Sequence, residues 1–309
     1  MQHDSTMTST WQTLSIESAN IIEKVGRVVV AVYGRRRIPS SGVQWRPGIV
    51  VTADHALERD EEISVTLPDG QGVMAALVGR DPSTDLAIIK SDSVNLPIPE
   101  FGDIRALKVG NWILAAGRTA EGGARAGLAL AGVVGGAWRT WRGGLLDHTL
   151  RLDRNLHPNF SGGPAADDRG RILGIITAGL SRYAAVVIPA STVERVTEEL
   201  AKRGHIGRGY LGVAMQPVRL PLKIREALRL GSDSGVLIVS VEPGSPADKA
   251  GVILGDVFVA INSNAIEDVD DLQDHLAGEL IGSSMKVSLL RGGAPAEVVI
   301  TIGERPRSS

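Results

Sequence analysis

Short apolar runs rich in β-branched residues, broken by glycine, fill most of the first 190 residues and constrain the fold more than any other feature. Residues 27–33, 48–52, 63–67, 73–78 and 86–90 form a first batch, with the turn signal Pro68-Asp69-Gly70 between two of them. A loop rich in proline and acidic residues follows, near 92–103. Residues 111–116, 127–134, 145–152, 171–178 and 184–188 form a second batch, punctuated by glycines from Gly117 to Gly144. Many short strands with glycine turns predict sandwiches or barrels. Two successive batches predict two barrels that meet near residue 104. Only 4% of residues are aromatic, so the cores must be built from Val, Ile, Leu and Ala.

Around these barrels the pattern changes. Residues 1–13 are polar and predicted disordered, and 14–24 are predicted helical, with Ile16, Ala19 and Ile22 at near-helical spacing. A second helix is expected after Ser191, where Ser191 and Glu194 have capping-box spacing, Val193, Val196 and Leu200 share a face, and Gly204 is a stop. The glycine-rich joint 205–209 then leads into a mixed α and β texture, which places a domain boundary at about residue 205.

Several function classes are disfavoured at this level. A net charge of −2 gives no electrostatic basis for nucleic-acid or anionic-membrane binding. The absence of cysteine removes disulfides, thiolate metal sites and a cysteine nucleophile. His3, His148, His205 and His275 show no ligand spacing, so neither metal nor cofactor is expected. The first 15 residues lack the basic stretch and apolar core of a secretory leader. No apolar run approaches the roughly 20 residues needed to span a bilayer. The expectation is a cytoplasmic address, with a periplasmic or extracytoplasmic one if the true start lies elsewhere.

Three segments carry chemistry. His55 follows the apolar strand in VTADHAL, Asp85 precedes a buried-looking strand in DPSTDLAIIK, and Ser161 sits in the tight turn of HPNFSGGPA. Singly, each residue also fits a structural role. Together they suit acyl transfer: a serine hydroxyl needs a base, an imidazole titrates near neutrality, and a buried carboxylate fixes the imidazole tautomer. Asp54, beside His55, is read as a solvated carboxylate.

These motifs resemble those of the HtrA (high-temperature-requirement A) family of trypsin-like proteases, which read VTNxHV, DxxTDLAVLK and NPGNSGGPL. The resemblance implies a mainly β chain, a chymotrypsin-like double β-barrel at 14–204 followed by a small α+β PDZ domain at 205–309. It implies a triad of His55, Asp85 and Ser161, and an oxyanion hole from the backbone N–H groups of Asn159 and Ser161. Two positions depart from the pattern. Asn159 replaces a glycine whose backbone often has positive φ, a conformation asparagine tolerates best among non-glycine residues. Phe160 replaces the usual Asn or Asp, either filling an apolar subsite or packing beneath the turn. Asn155, six before the serine, stands where basic-specific trypsins carry an acid, so small or medium apolar side chains are expected at the cleaved position.

Beyond residue 209, the string VEPGSPADKAGVILGD is similar to PDZ domains of the same family. The resemblance implies a carboxylate nest at Tyr210, Leu211, Gly212 and Val213, with a helix at 269–277 as the opposite groove wall; its Leu272 and Leu276 either face the groove or belong only to the core. The implied activity is endopeptidase cleavage of unfolded or exposed polypeptide, with peptide C-termini bound at the PDZ domain and assembly as a homotrimer. The alternative is a weak or inactive homologue serving as a PDZ-bearing chaperone or scaffold.

Overall fold

The strand Val29–Tyr33 (β1) has four of its five residues buried, so it cannot be the one-sided strand of an open sheet. In the computed structural model, which describes residues 9–35, 38–207, 209–228, 232–276 and 280–304, it belongs to a closed barrel. The other members are Ser40–Arg46 (β2), Ile49–Ala53 (β3), Ile63–Thr66 (β4), Gly72–Asp81 (β5) and Leu86–Lys90 (β6), in the order β1-β2-β3-β6-β5-β4. A second closed barrel contains Trp112–Arg118 (β7) and Ala124–Gly135 (β8). After a hairpin of Trp138–Arg139 (β9) and Leu145–Leu146 (β10), it adds Thr149–Leu152 (β11), Pro164–Ala166 (β12), Ile172–Thr177 (β13) and Val186–Pro189 (β14). Val30, Val32, Val50 and Ile63 fill the first barrel, and Ile113, Leu150, Ile176 and Val187 fill the second.

Two helices flank the barrels. The first, Thr10–Gly26 (α1), starts four residues before the expected one and contradicts disorder over 10–13. Ser9 caps it by accepting the Gln12 N–H at 3.2 Å. Residues 1–8, also expected to be disordered, lie outside the described residues. The buried face of α1 runs through Ile21, Ile22 and Val25, while Ile16 is exposed. The second, Ala190–Arg203 (α2), buries Val193, Val196 and Leu200, and Gly204 ends it in the left-handed region at φ 73°. The expected capping box is absent, because the helix starts at Ala190 and places Ser191 inside its first turn; Glu194 accepts the Trp45 indole N–H at 2.6 Å and pairs with Arg46.

The chain divides into two compact units, one ending at Ile206 and the other starting at Gly207. In the second, Gly209–Tyr210 (β15) pairs with Gly303–Glu304 (β22). Its main sheet runs Val213–Arg219 (β16), Ser234–Val241 (β17), Val257–Ile261 (β18), Ser284–Arg291 (β20) and Ala294–Thr301 (β21), with Asn264–Ala265 (β19) paired to β18. Helices Leu222–Leu228 (α3), Pro246–Lys249 (α4) and Val269–Asp274 (α5) complete it. Phe258, Val236, Ile261 and Leu272 are fully buried at its centre.

Candidate active site

A single 3-10 turn, Asp54–Ala56, at the end of β3 carries His55. Asp85 begins the adjacent β6 side with φ 60°, a left-handed backbone that aspartate adopts more readily than most residues. That twist aims its carboxylate back at the histidine. Oδ1 accepts the His55 backbone N–H at 2.9 Å, and Oδ2 lies 2.7 Å from His55 Nδ1. The Asp85 side chain is 2% exposed and that of His55 is 30% exposed, so the buried acid holds a ring that solvent and substrate can reach.

Ser161 follows the short 3-10 turn Pro158–Phe160 and is buried. The first barrel grips this turn through Ser41 of β2. The Ser41 N–H donates to the Ser161 carbonyl at 3.0 Å. Its hydroxyl donates to the Asn159 carbonyl at 2.6 Å and accepts the Arg118 N–H at 3.0 Å. Gly162 has φ 84°, and a Cβ there would fall 2.1 Å from the Ser41 carbonyl oxygen and 2.9 Å from Ala53 N. Only glycine permits this approach, which brings the serine turn against the end of β3, two residues before His55. Gly179 closes on the other side: a Cβ there would lie 2.5 Å from Asp85 Oδ2 and 2.8 Å from His55 Nδ1.

The expected oxyanion donors are spent internally. Asn159 N–H donates to His157 Nδ1 at 3.3 Å, and Ser161 N–H donates to the Pro158 carbonyl at 3.2 Å. Asn159 does not take the positive φ expected of it, because the 3-10 turn holds it instead. Its side-chain Oδ1 is buried without a hydrogen-bond partner. Phe160 packs beneath the turn in the core of the second barrel; its ring lies 3.3 and 3.2 Å from where Cβ atoms would stand on Gly117 and Gly127. Asn155 is exposed, and its amide donates to the Arg182 carbonyl at 3.2 Å.

In the second unit, Tyr210 ends β15, Val213 begins β16, and Leu211 and Gly212 connect them. Gly212 has φ 77° and packs so closely on Ser245 that a Cβ would lie 2.2 Å from that side chain. Gly212 O accepts the Glu242 N–H at 2.8 Å, Leu211 O accepts the Ala247 N–H at 2.9 Å, and the Tyr210 hydroxyl bonds Glu242. The Leu211 side chain is in the core, so that residue can offer only its backbone to a ligand. Leu272, expected either at the groove or in the core, is fully buried core; Leu276 is half-buried beside it. Ala277 lies outside the described residues.

Comparison with known proteins finds relatives of both units. The trypsin-like peptidase domain family matches residues 40–175, and the PDZ domain family matches residues 209–302. A probable periplasmic serine endoprotease, DegP-like, of Brucella suis biovar 1 is 34% identical over 269 residues, covering 84% of this chain and 51% of the relative. A protein of the same description from Rhizobium meliloti is 35% identical over 265 residues, covering 84% and 52%. The chain thus spans about half the length of the curated relatives it matches. The solved structure of the HtrA-type protease AlgW with decapeptide superposes with a TM-score of 0.77 at 25% identity, covering 94% of this chain and 99% of that one. The serine endoprotease from Yersinia pestis gives 0.74 at 27% identity, covering 94% and 98%. The chain belongs to the HtrA family.

Three residues of this HtrA chain that sequence reading passed over shape the site. The Thr177 hydroxyl donates to Asp85 Oδ2, and Thr177 Oγ1 accepts the Gly179 N–H at 2.8 Å. A threonine at the end of the all-buried strand ILGIIT was the available signal. Ser41 left no such signal. Arg80 clamps the histidine turn: its Nε lies 2.5 Å from Asp54 Oδ1, and its Nη2 donates to the carbonyls of Asp54 at 3.1 Å and Leu57 at 2.6 Å.

Asp54 is therefore not solvated. Burial pushes its carboxyl above the ordinary value, and the hydrogen bond and charge of Arg80 pull it back. An acid whose folded pKa is raised destabilises the fold when ionised, above that pKa, and ceases to do so below its unfolded value of about 3.9. Arg80→Leu removes the pull-back. It should cost about 3 kcal/mol at neutral pH, the lower end for removing one partner of a buried ion pair, and the deficit should shrink as the pH falls toward 4 and Asp54 takes up a proton. Urea unfolding of parent and variant at both pH values measures this. A deficit independent of pH would mean that the ionised Asp54 is not its source.

Proposed function

We propose that this HtrA protein is a serine endopeptidase that cleaves unfolded or exposed polypeptide through Ser161, with His55 as base and acid and Asp85 as its orienting partner. The observation that supports it most is the hydrogen-bonded Asp85–His55 pair, with the glycine turn of Ser161 packed against the end of β3 two residues before His55. Ser161 Oγ attacks the scissile carbonyl carbon as His55 Nε2 takes its proton. His55 then returns that proton to the leaving amine, and an acyl ester remains on Ser161. Water, deprotonated by the same ring, attacks the ester and frees the serine. The charge on the tetrahedral oxygen is met by the N–H groups of Asn159 and Ser161, so the Pro158–Asn159 peptide must rotate away from its internal bonds. Donors of this kind contribute about 3 kcal/mol each.

A fluorophosphonate probe tests the reading, since it labels only an activated serine. Labelling at Ser161 is expected, and it should be faster in Asn159→Gly, which gains access to positive φ and loses the buried, unpartnered Oδ1. An unlabelled parent that also leaves casein intact would favour the non-catalytic, PDZ-bearing reading.

The PDZ unit, in this proposal, binds peptide C-termini at Tyr210, Leu211, Gly212 and Val213, where a positive-φ glycine and the start of an edge strand meet. Homotrimer assembly is proposed as well; Trp11 and Ile16, exposed on α1, offer apolar surface for it. Among the described residues no helix is long and apolar enough to cross a membrane. The periplasmic naming of the relatives favours the extracytoplasmic alternative over the cytoplasmic address.

A further inference from the structure

β16 is an edge strand, paired only with β17 on one side. Its backbone phase follows from three hydrogen bonds and the alternation of an antiparallel ladder. The Glu242 N–H donates to Gly212 O at 2.8 Å, so Gly212 faces β17 and Val213 faces away. On β17, Ile238 N–H donates to Asp256 O at 2.8 Å and Ile238 O accepts the Gly255 N–H at 2.9 Å. Ile238 therefore turns its polar groups away from β16, and its register partner Met215 turns its own to the open edge. The register shift between Ala214 and Met215 leaves Val239 of β17 unpaired, so β16 itself keeps strict alternation. Val213, Met215 and Pro217 thus present their backbones to the open edge in succession. The first two offer an N–H and a carbonyl each; Pro217 offers a carbonyl only.

A peptide whose terminal carboxylate sits at residues 210–213 lies antiparallel to β16, because its end meets the start of the strand. Its last residue is then opposite Val213, the third from last opposite Met215, and the fifth from last opposite Pro217. We infer that Pro217 ends the recognition ladder, so that this PDZ unit reads about four C-terminal residues and gains little from anything upstream. The inference rests on the carboxylate-loop reading above and sets the length of the motif that loop can accept. The missing donor halves the pairing at the fifth residue, and the proline ring occupies the place where that N–H would reach for the peptide. In the free protein the same ring blunts an edge that would otherwise template pairing with another chain.

The test uses the full chain carrying Ser161→Ala, so that peptides survive. N-terminally fluorescein-labelled peptides of four, six and eight residues, alanine-based and ending in valine, are titrated by fluorescence polarisation. The parent should bind all three within about twofold. Pro217→Val and Pro217→Ala restore the donor. Each should leave four-residue binding unchanged, which also reports an intact fold, and tighten six-residue binding about fivefold, the effect of one added hydrogen bond. A parent that tightens fivefold or more between four and six residues overturns the limit. So does a folded pair of variants with no length dependence. Equal binding of the acid and the C-terminal amide of the four-residue peptide is a separate result. It removes the carboxylate loop, and the limit with it.

Discussion

Ser161→Ala should reduce casein hydrolysis by about six orders of magnitude, to background, without a change in unfolding midpoint beyond about 1 kcal/mol. Pro158, Asn159 and Phe160 before the serine and the two glycines after it offer no nucleophile, and His157 Nδ1 is engaged by the Asn159 N–H. The fold should be indifferent, because the turn is held by main-chain groups. The Ser161 carbonyl takes the Ser41 N–H, and the Gly162 N–H donates to the Ile176 carbonyl at 2.8 Å. Neither bond uses the Ser161 hydroxyl. Paired hydrolysis and urea-unfolding measurements check both halves. An alanine variant that digests casein at the parental rate would sink the assignment of Ser161.

Asp85→Asn should lower turnover about ten-thousandfold while leaving substrate affinity nearly unchanged. An amide keeps the volume and one acceptor oxygen but gives up the charge. The carboxylate now accepts three donors: the His55 backbone N–H, the Thr177 hydroxyl and the His55 ring. The amide must turn an NH2 toward one of them. Facing the ring, it donates to Nδ1 and forces the proton onto Nε2, the nitrogen that must take the serine's proton. Single-turnover kinetics with a chromogenic peptide ester separate the two parameters. A loss of tenfold or less would mean that Asp85 serves as a strand-end brace and not as the partner of the imidazole.

The three segments proposed to be catalytic stand out in the sequence because each is a local pattern: a polar residue at the edge of an apolar strand, or a serine among glycines. The two-barrel architecture was legible for the same reason, since β-branched runs betray strands wherever apolar side chains are what is buried. Where polar side chains are buried instead, pattern reading fails. β2 was missed because Ser40, Ser41 and Gln44 are fully buried. Gln44 spends its amide on the 96–97 backbone, donating to Leu96 O at 2.6 Å and accepting the Leu96 N–H at 2.9 Å. Asp54 was misread as solvated because its partner, Arg80, is 26 residues away on another strand. Asn159 stands where the family's glycine often has positive φ, and the bonds of one local 3-10 turn hold it otherwise. Two kinds of hydrogen bond escape such patterns: one to a partner distant in sequence, as at Asp54, and one within a short polar turn, as at Asn159.

Ser41 belongs to one barrel and Ser161 to the other, and three hydrogen bonds of Ser41 reach the nucleophile turn or the strand beside it. The seam between the barrels is thus a working part, and neither barrel holds a usable active centre by itself. Heat inactivation should follow whichever barrel melts first, since loss of β2 frees the serine turn as surely as loss of the turn's own strands. The proteolytic capacity proposed for this protein would in that sense report on the integrity of both halves at once: a molecule damaged on either side would fall silent before it could cut anything.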